Sequence, residues 1–140
     1  MRREHGFTLV ELTIVVLILG MIAAIAIPDY GVMRDRAREG ATKANMHAVQ
    51  VAAEDFAVQN RGAYAADMAS FAATLPATFS NPFDRTTGVG RAWEDRAVFD
   101  SAPSARPGLA SYADSATTDY NVKGWGRSAE LSLVLTSGQW

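Results

Sequence analysis

The feature that most constrains this chain is an apolar run near its N-terminus. Residues 7–27 carry a single formal charge, at Glu11. As an α-helix with a rise of about 1.5 Å per residue, this run is about 31 Å long, which matches the hydrocarbon thickness of a bilayer. The run therefore predicts a transmembrane helix at the start of a chain of 140 residues.

Glu11 needs a physical reason to lie in this run, because an unpaired acid near the centre of a spanning helix costs about 2.5 to 3.5 kcal/mol. Two interpretations are open. Glu11 lies near one end of the run, where the positive end of the helix dipole stabilises a carboxylate at the membrane interface. Alternatively, it pairs with a cation that belongs to another chain.

The residues around Glu11 also form a motif. A leader with two arginines precedes Gly6 and Phe7, the stretch 6–12 reads GFTLVEL, and a proline follows the apolar run at Pro28. This arrangement resembles the class III signal of type IV prepilins and of type II secretion pseudopilins. The resemblance implies cleavage of the leader peptide, residues 1–6, between Gly6 and Phe7, and N-methylation of the new Phe7 amine. It also implies that Glu11 pairs with the Phe7 amine of a neighbouring subunit during assembly.

Two other interpretations compete for the N-terminus. A secretory signal peptide would be cleaved at small residues such as those at 24–26, but its apolar stretch is usually only 7 to 15 residues long and is not interrupted by an acid. An uncleaved signal anchor fits the length of the run and keeps the basic leader in the cytoplasm.

Pro28 predicts a kink in the helix, because it lacks an amide N–H and clashes with the preceding turn. Beyond it, apolar residues recur every three or four positions, which predicts an amphipathic half of the same helix over residues 28–61. Asn60, Arg61 and Gly62 suit its C-terminal cap. The predicted apolar face consists mostly of small residues, namely Met33, Ala37, Ala41, Ala44, Ala48, Ala52 and Phe56, with Val49 beside them.

The regular signals fade over residues 62–107, which we interpret as a connecting loop region. Within it, spacing favours one short helix at 66–75, an Asn-Pro turn at 81–85 and an edge strand within 91–100. Residues 108–140 change to a period of two and predict an antiparallel β-meander with strands at 109–113, 119–124 and 130–136.

The predicted fold class is therefore α+β. A small sheet needs one face covered, and the amphipathic half of the helix is the available cover. This arrangement has the pilin-like ladle form, in which a long N-terminal helix, half membrane-spanning and half amphipathic, packs on a small antiparallel sheet.

Composition narrows the chemistry. The chain has no cysteine, which excludes thiol catalysis and disulfides. Its net charge is −2, so it lacks the excess positive charge that is typical of proteins that bind nucleic acid. His47 is interpreted as a solvated or subunit-facing residue. The adjacent Glu54 and Asp55 point about 100° apart on a helix and are interpreted as part of a charged, solvated helix face. Asp114 and Asp119 flank a polar loop that could take calcium, but the alternating acids of a calcium loop are missing. We expect no enzyme activity, no cofactor and no metal site.

The sequence thus predicts a structural subunit of a type IV pilus-like extracellular filament, assembled through its N-terminal helix. One alternative is a pseudopilin of a type II secretion system, and a second is a membrane-tethered binding module. The resemblance implies as partners copies of itself or related pilins, the prepilin peptidase/methyltransferase, an inner-membrane assembly platform and, before assembly, membrane lipid. It implies a single-pass protein of the inner membrane that moves to an extracellular filament at the cell surface.

Overall fold

The computed structural model describes residues 6–138. Most of the predicted leader and the last two residues of the predicted meander lie outside this range. The chain forms two compact units, one that reaches to Asp35 and one that begins at Arg36. The helix α1, Leu9–Gln59, contributes to both units.

In the first unit, α1 is apolar on all sides over residues 12–27, apart from Thr13. Its large side chains, from Leu9 to Met33, are exposed. The helix includes Pro28 without interruption, which agrees with the predicted continuation beyond the apolar run. The kink at Pro28 stays a prediction.

The C-terminal end of α1 is capped by a turn with left-handed backbone. Arg61 has a φ of 59° and Gly62 a φ of 89°, and the Gly62 amide donates to the Ala57 carbonyl at 2.8 Å. Such a bond, which reaches back five residues, satisfies a carbonyl that the helix leaves unpaired. The predicted end near Gly62 is confirmed.

In the second unit, the buried face of α1 only partly matches the predicted small-residue face. Of the predicted face, Ala52 is buried and Ala48 and Phe56 pack partly buried against the core, whereas Ala37, Ala41 and Ala44 are exposed. The buried positions are instead Thr42, Met46, Val49, Gln50, Ala52, Ala53 and Ala57.

The physical reason is that two polar residues of the helix lie in the core with their hydrogen bonds made locally. The Thr42 hydroxyl donates to the Arg38 carbonyl at 3.0 Å, and the Gln50 side chain lies 3.2 Å from His47 Nδ1. Because the Thr42 hydroxyl and the Gln50 side chain have these partners, burying them costs little. A hydrophobicity pattern counts both residues as surface and therefore places the centre of the buried face too far to one side.

The segment after α1 contains two short 3-10 turns, Met68–Ser70 and Ala72–Thr74, where the sequence predicted one helix. Asp67 caps the first turn, since its carboxylate accepts the amide of Ser70 at 2.8 Å. Met68 and Phe71 are buried, so the predicted apolar spacing marks real core contacts. The prediction for residues 66–75 is therefore right about the helical spacing of the core residues and wrong about the element, which is two short 3-10 turns and not one helix.

Within the described residues the sheet has four strands in the order β1-β2-β3-β4. They are β1, Trp93–Asp95; β2, Ala110–Ser115; β3, Asp119–Gly124; and β4, Leu135–Thr136. The predicted meander is confirmed as β2, β3 and β4, which pair antiparallel. The predicted third strand is shortened to two residues, and β1 pairs parallel to β2 at the edge, so the sheet is mixed.

One face of the sheet carries the aromatic core. Side chains alternate along a strand, and Tyr112 of β2 and Tyr120 of β3 are both fully buried on the same face. Their rings stack at 5.7 Å, and Phe71 meets Tyr112 edge-on at 5.2 Å. Met46 and Val49 of α1 belong to the same buried cluster, which confirms that the sheet packs on the amphipathic half of the helix.

The opposite face of the sheet is polar but also covered. Ser111 and Asn121 are buried there, beneath the irregular segment 97–107, which we call the strap. The side chain of Arg96, immediately before the strap, contacts both residues through hydrogen bonds. An antiparallel sheet with alternating polar residues usually has one face in water; here both faces are covered.

Candidate functional site

The N-terminal segment that carries the predicted motif is an exposed apolar surface. By length and composition, α1 is able to cross a membrane, and none of its most apolar stretch is buried within the chain. Phe7 is 78% exposed. An uncovered apolar surface of this length has to be buried against lipid or other protein chains.

Thr8 and Glu11 begin this helix with a reciprocal pair of contacts. The Thr8 amide and the Thr8 hydroxyl both donate to Glu11 Oε2 at 2.9 Å. In return, the Glu11 amide donates to Thr8 Oγ1 at 3.2 Å. This is a capping box, in which the residue before the helix and the third helical residue satisfy each other's backbone amides.

The capping box changes the interpretation of Glu11. The sequence offered a dipole-stabilised carboxylate or a carboxylate that pairs with another chain. The geometry supports the first directly, since Glu11 accepts two hydrogen bonds in the first turn of α1. The sequence interpretation gave Thr8 no role, although a threonine three residues before a glutamate at the start of an apolar run is the signature of such a cap.

The other predicted residues of this site, Gly6 and Phe7, lie at the N-terminal end of the described residues. Gly6 and Phe7 precede the helix and are exposed, so the peptide bond between them is outside regular structure. The arginines of the leader lie outside the described residues. Cleavage at Gly6, methylation of Phe7 and pairing of Glu11 with a neighbouring Phe7 stay predictions.

In the second unit, Glu54 lies between two phenol groups rather than on a solvated charged face. Tyr120 donates its hydroxyl to Glu54 Oε1 at 2.7 Å, and Tyr64 donates to Oε2 at 3.2 Å. Burial, followed by the interaction with Glu54, raises the pKa of both Tyr64 and Tyr120. Glu54 therefore joins α1 to β3 and to the segment after α1, and the sequence interpretation of Glu54 as surface charge is wrong. Its neighbour Asp55 is exposed.

Asn81 is the second structural centre that the sequence underrated. It is fully buried, and its side-chain amide donates to the carbonyls of Arg91 and Pro107 at 2.9 and 2.8 Å. Its Oδ1 accepts the amide of Phe83 at 2.9 Å, as expected for an asparagine that starts a turn. The predicted Asn-Pro turn is present, and the same residue also ties together three loops.

An apolar groove of about 360 Å³ lies on the outer side of α1 in the second unit. Its lining includes His47, Val51 and Asp55 of the helix and Thr74 and Pro76 of the loop. His47 is exposed and contacts Gln50, which agrees with its interpretation as a solvated residue. Its neighbours offer it no partner set for nucleophilic or acid–base chemistry.

The acidic residues near the β2–β3 turn are used within the fold. Asp119 accepts the hydroxyl of Ser137 at 2.5 Å, and Asp114 accepts the amide of Thr117 at 3.2 Å. Among residues 6–138, no group of three or more histidine, cysteine, aspartate or glutamate side chains is placed to hold a metal ion. Calcium therefore has no preformed set of carboxylates at this turn.

Among known protein families, residues 1–27 match the prokaryotic N-terminal methylation motif. A stretch of 91 residues is 34% identical to the type IV narrow pilus major component PilA5 of Thermus thermophilus, and it covers 65% of this chain and 70% of that protein. The chain belongs to the type IV pilin family. The predicted resemblance is confirmed.

Other relatives match shorter stretches of this pilin. The type IV major pilin protein PilA of Myxococcus xanthus is 44% identical over 54 residues, or 39% of this pilin and 24% of that protein. The type II secretion system core protein G of Pseudomonas aeruginosa is 34% identical over 59 residues, or 42% of each chain. The chain thus spans less than half the length of these two relatives. No solved structure matches it.

Proposed function

We propose that this pilin is a structural subunit of a type IV pilus-like extracellular filament. The observation that carries the proposal is the exposed apolar helix that follows the methylation motif. A helix of this kind is stable in lipid and equally stable among other apolar helices. The subunit therefore exchanges a lipid environment for neighbouring copies of the same helix, with no chemical step in the second unit.

The proposal includes processing before assembly. A peptidase/methyltransferase of the inner membrane removes residues 1–6 and methylates Phe7, and an assembly platform then moves the subunit from the membrane into the filament. The match of residues 1–27 to the methylation motif supports this order. The mature chain has 11 basic and 14 acidic residues, and its net charge of −3 gives no general attraction to nucleic acid.

Glu11 has two successive hydrogen-bonding partners in this scheme. In the free subunit, Thr8 satisfies the carboxylate within the chain, which lowers the cost of a charge at the edge of the membrane. In the filament, the carboxylate attracts the Phe7 amine of a neighbour. A subunit docked in another axial register would leave that amine unpaired among apolar helices, so the attraction selects one register.

The proposal is tested by isolating filaments. Cells that carry the chain with its own assembly genes are sheared, and the released material is viewed by electron microscopy with an antibody raised against the strap. We expect the antibody to label the filaments along their whole length. Label that stays in the membrane fraction, in cells that still produce filaments, would contradict the proposal.

A secretion pseudopilin is the second candidate, and the match to the secretion protein of Pseudomonas aeruginosa favours it. A pseudopilin assembles through the same helix, so the structure of the subunit is compatible with both machines. Deletion of the gene distinguishes them. Loss of surface filaments with normal secreted proteins indicates a pilus, and the reverse result indicates a secretion system.

A further inference from the structure

Arg96 is a buried cation at the start of the strap. The residue is only 9% exposed, although its side chain lies on the sheet face away from α1. The sequence placed it within an edge strand and assigned it no role. A charge in such a place has to be held by strong hydrogen bonds, because burial of an unsatisfied charge is costly.

Every N–H group of the Arg96 guanidinium has an acceptor. Nε donates to Ser111 Oγ at 2.7 Å, and Nη1 donates to the carbonyls of Phe99 and Ser101, both at 2.7 Å. Nη2 donates to the backbone carbonyl of Asn121 at 3.3 Å and to its side-chain oxygen. Arginine has five such donors, so this geometry uses all of them.

The acceptors around Arg96 are neutral, and no carboxylate of the described residues is hydrogen-bonded to it. Desolvation lowers the pKa of Arg96, while the more distant carboxylates of Glu94, Glu130 and Asp100 oppose this shift. The guanidinium remains charged, as arginine does in proteins. Its charge therefore strengthens five hydrogen bonds to the strap and the sheet instead of forming an ion pair.

Lys123 provides a second cation on the same face of the sheet. Its Nζ donates to the carbonyls of Asp100 and Ser101 at 3.1 and 3.4 Å. Together, Arg96 and Lys123 hold the carbonyls of three consecutive strap residues, 99–101. The Asn121 side-chain amide adds a donor to the Phe99 carbonyl at 2.7 Å.

We propose that Arg96 and Lys123 form an internal cation clasp that holds the strap closed on the sheet. The clasp fixes an irregular surface segment in a chain that has no cysteine for a disulfide. Further along the strap, the Ser104 amide donates to Glu94 at 2.6 Å, which is an additional contact between the strap and β1. The inference concerns the second unit alone and does not depend on filament assembly.

The clasp is tested by hydrogen exchange on the full chain in detergent micelles. Arg96→Met keeps a long side chain but removes all five donors, and Lys123→Met removes the second cation. Arg91→Met, at an exposed position of the preceding loop, is the matched control. The reporters are the strap amides of Ser101 and Arg106, which have acceptors within the strap, compared with amides of β2 and β3.

For Arg96→Met we expect exchange of the strap amides to become about 10- to 100-fold faster, because several buried carbonyls lose their donors. The sheet amides and the control stay unchanged, and Lys123→Met gives a smaller effect in the same segment. Strap exchange within twofold of the native chain in both variants would overturn the proposal. If Arg96→Met unfolds the whole unit, Lys123→Met decides: faster exchange confined to the strap supports the clasp, and no change overturns it.

A chemical rescue gives a second, independent readout. Arg96→Ala leaves a space among the same neutral oxygens, and methylguanidinium at low millimolar concentration carries the missing donors. We expect it to slow strap exchange in Arg96→Ala but not in Lys123→Met. Equal effects on both variants, or none on either, would contradict the assignment of the guanidinium as the closing group.

Discussion

Thr8 and Glu11 satisfy each other at the start of α1, with the Thr8 hydroxyl and amide both 2.9 Å from Glu11 Oε2. The carboxylate that the motif assigns to subunit assembly is thus already hydrogen-bonded within its own chain. The proposed pairing with a neighbouring subunit would use this same carboxylate. Substitutions at Glu11 and at Thr8 test the two roles separately.

Glu11→Gln separates charge from capping, since glutamine also fits the third position of a capping box. If the charge selects the register, Glu11→Gln assembles as poorly as Glu11→Ala, although it keeps the helix cap. Both variants remain stable in the membrane, where loss of a charge is favourable. Filament yield in the sheared fraction, normalised to membrane-bound subunit, measures the effect. Wild-type yield from Glu11→Gln would show that capping alone explains the residue.

Thr8→Val tests the cap while leaving the Glu11 charge in place. The variant removes the hydroxyl that donates to Glu11 and accepts its amide, and loss of such an N-cap costs about 0.5–2 kcal/mol. We expect fraying of the first turn of α1, seen as faster amide exchange at residues 9–12 in micelles. Thr13→Val is the control, because the Thr13 hydroxyl donates only to the Val10 carbonyl. Equal amide exchange at residues 9–12 in the two variants would show that Thr8 does not stabilise the first turn of α1.

Asn81 and Gly108 form a second close relationship. A Cβ atom at Gly108, whose φ is +83°, would overlap the Asn81 side chain. We expect Asn81→Ala to lower the free energy of unfolding by about 2–4 kcal/mol, since it leaves buried backbone groups without partners, and Gly108→Ala to have a similar cost. The double variant should lose less free energy of unfolding than the sum of the two single losses, because alanine at position 81 leaves room for the Cβ atom at position 108. Denaturant unfolding of the three variants measures this, and additive losses would contradict it.

Alkaline unfolding follows from the buried tyrosines. Burial raises the pKa of Tyr64, Tyr112 and Tyr120 above the ordinary value near 10. Their contribution is complete below pH 10 and is lost as the pH rises further, because the unfolded phenols ionise first. We expect unfolding and the rise of phenolate absorbance to coincide above pH 10. The Tyr120→Phe variant should lose stability less steeply with pH, and an unchanged slope would argue against burial as the cause.

Acid sensitivity has a different source. Hydrogen bonds from Thr86, with a smaller contribution from Arg106, lower the pKa of Asp84 to about 2. This stabilisation is complete above pH 4 and is lost as the pH falls from about 4 to 2. The ion pair with Arg106 at 2.7 Å is partly exposed, with side chains 42% and 38% accessible, so we expect a contribution below about 1 kcal/mol. In the Asp84→Asn variant, the denaturant midpoint of unfolding should depend less on pH between about 4 and 2 than it does in the native chain. The control variant Asp100→Asn, at an exposed position, should keep the native pH dependence.

Patterns of local chemistry predicted much of this fold. The apolar run, the Asn-Arg-Gly end of α1 and the period of two in β2 and β3 are properties of neighbouring residues, and each is present in the structure. The fold class follows from them, and the family was inferred from the resemblance of the N-terminal motif. The site motif was equally local, because its residues lie within seven positions of one another.

The missed features depend on contacts between distant residues. Thr42 and Gln50 look like surface residues until their hydrogen bonds are seen, and for this reason the predicted face of α1 matched the buried face only in part. Arg96 reads as a surface charge because its acceptors lie up to 25 positions away in the chain. Glu54 likewise depends on Tyr120, 66 positions later. Buried polar networks of this kind leave no periodic signal.

The central claim, that this pilin is processed at Gly6 and assembled through its N-terminal helix, is tested most directly by the intact mass and N-terminal fragmentation of the chain from a sheared filament fraction. The account predicts a chain that begins at Phe7 and is heavier by one methyl group. A chain in that fraction that begins after Ala26, or one that still carries Met1, would contradict it.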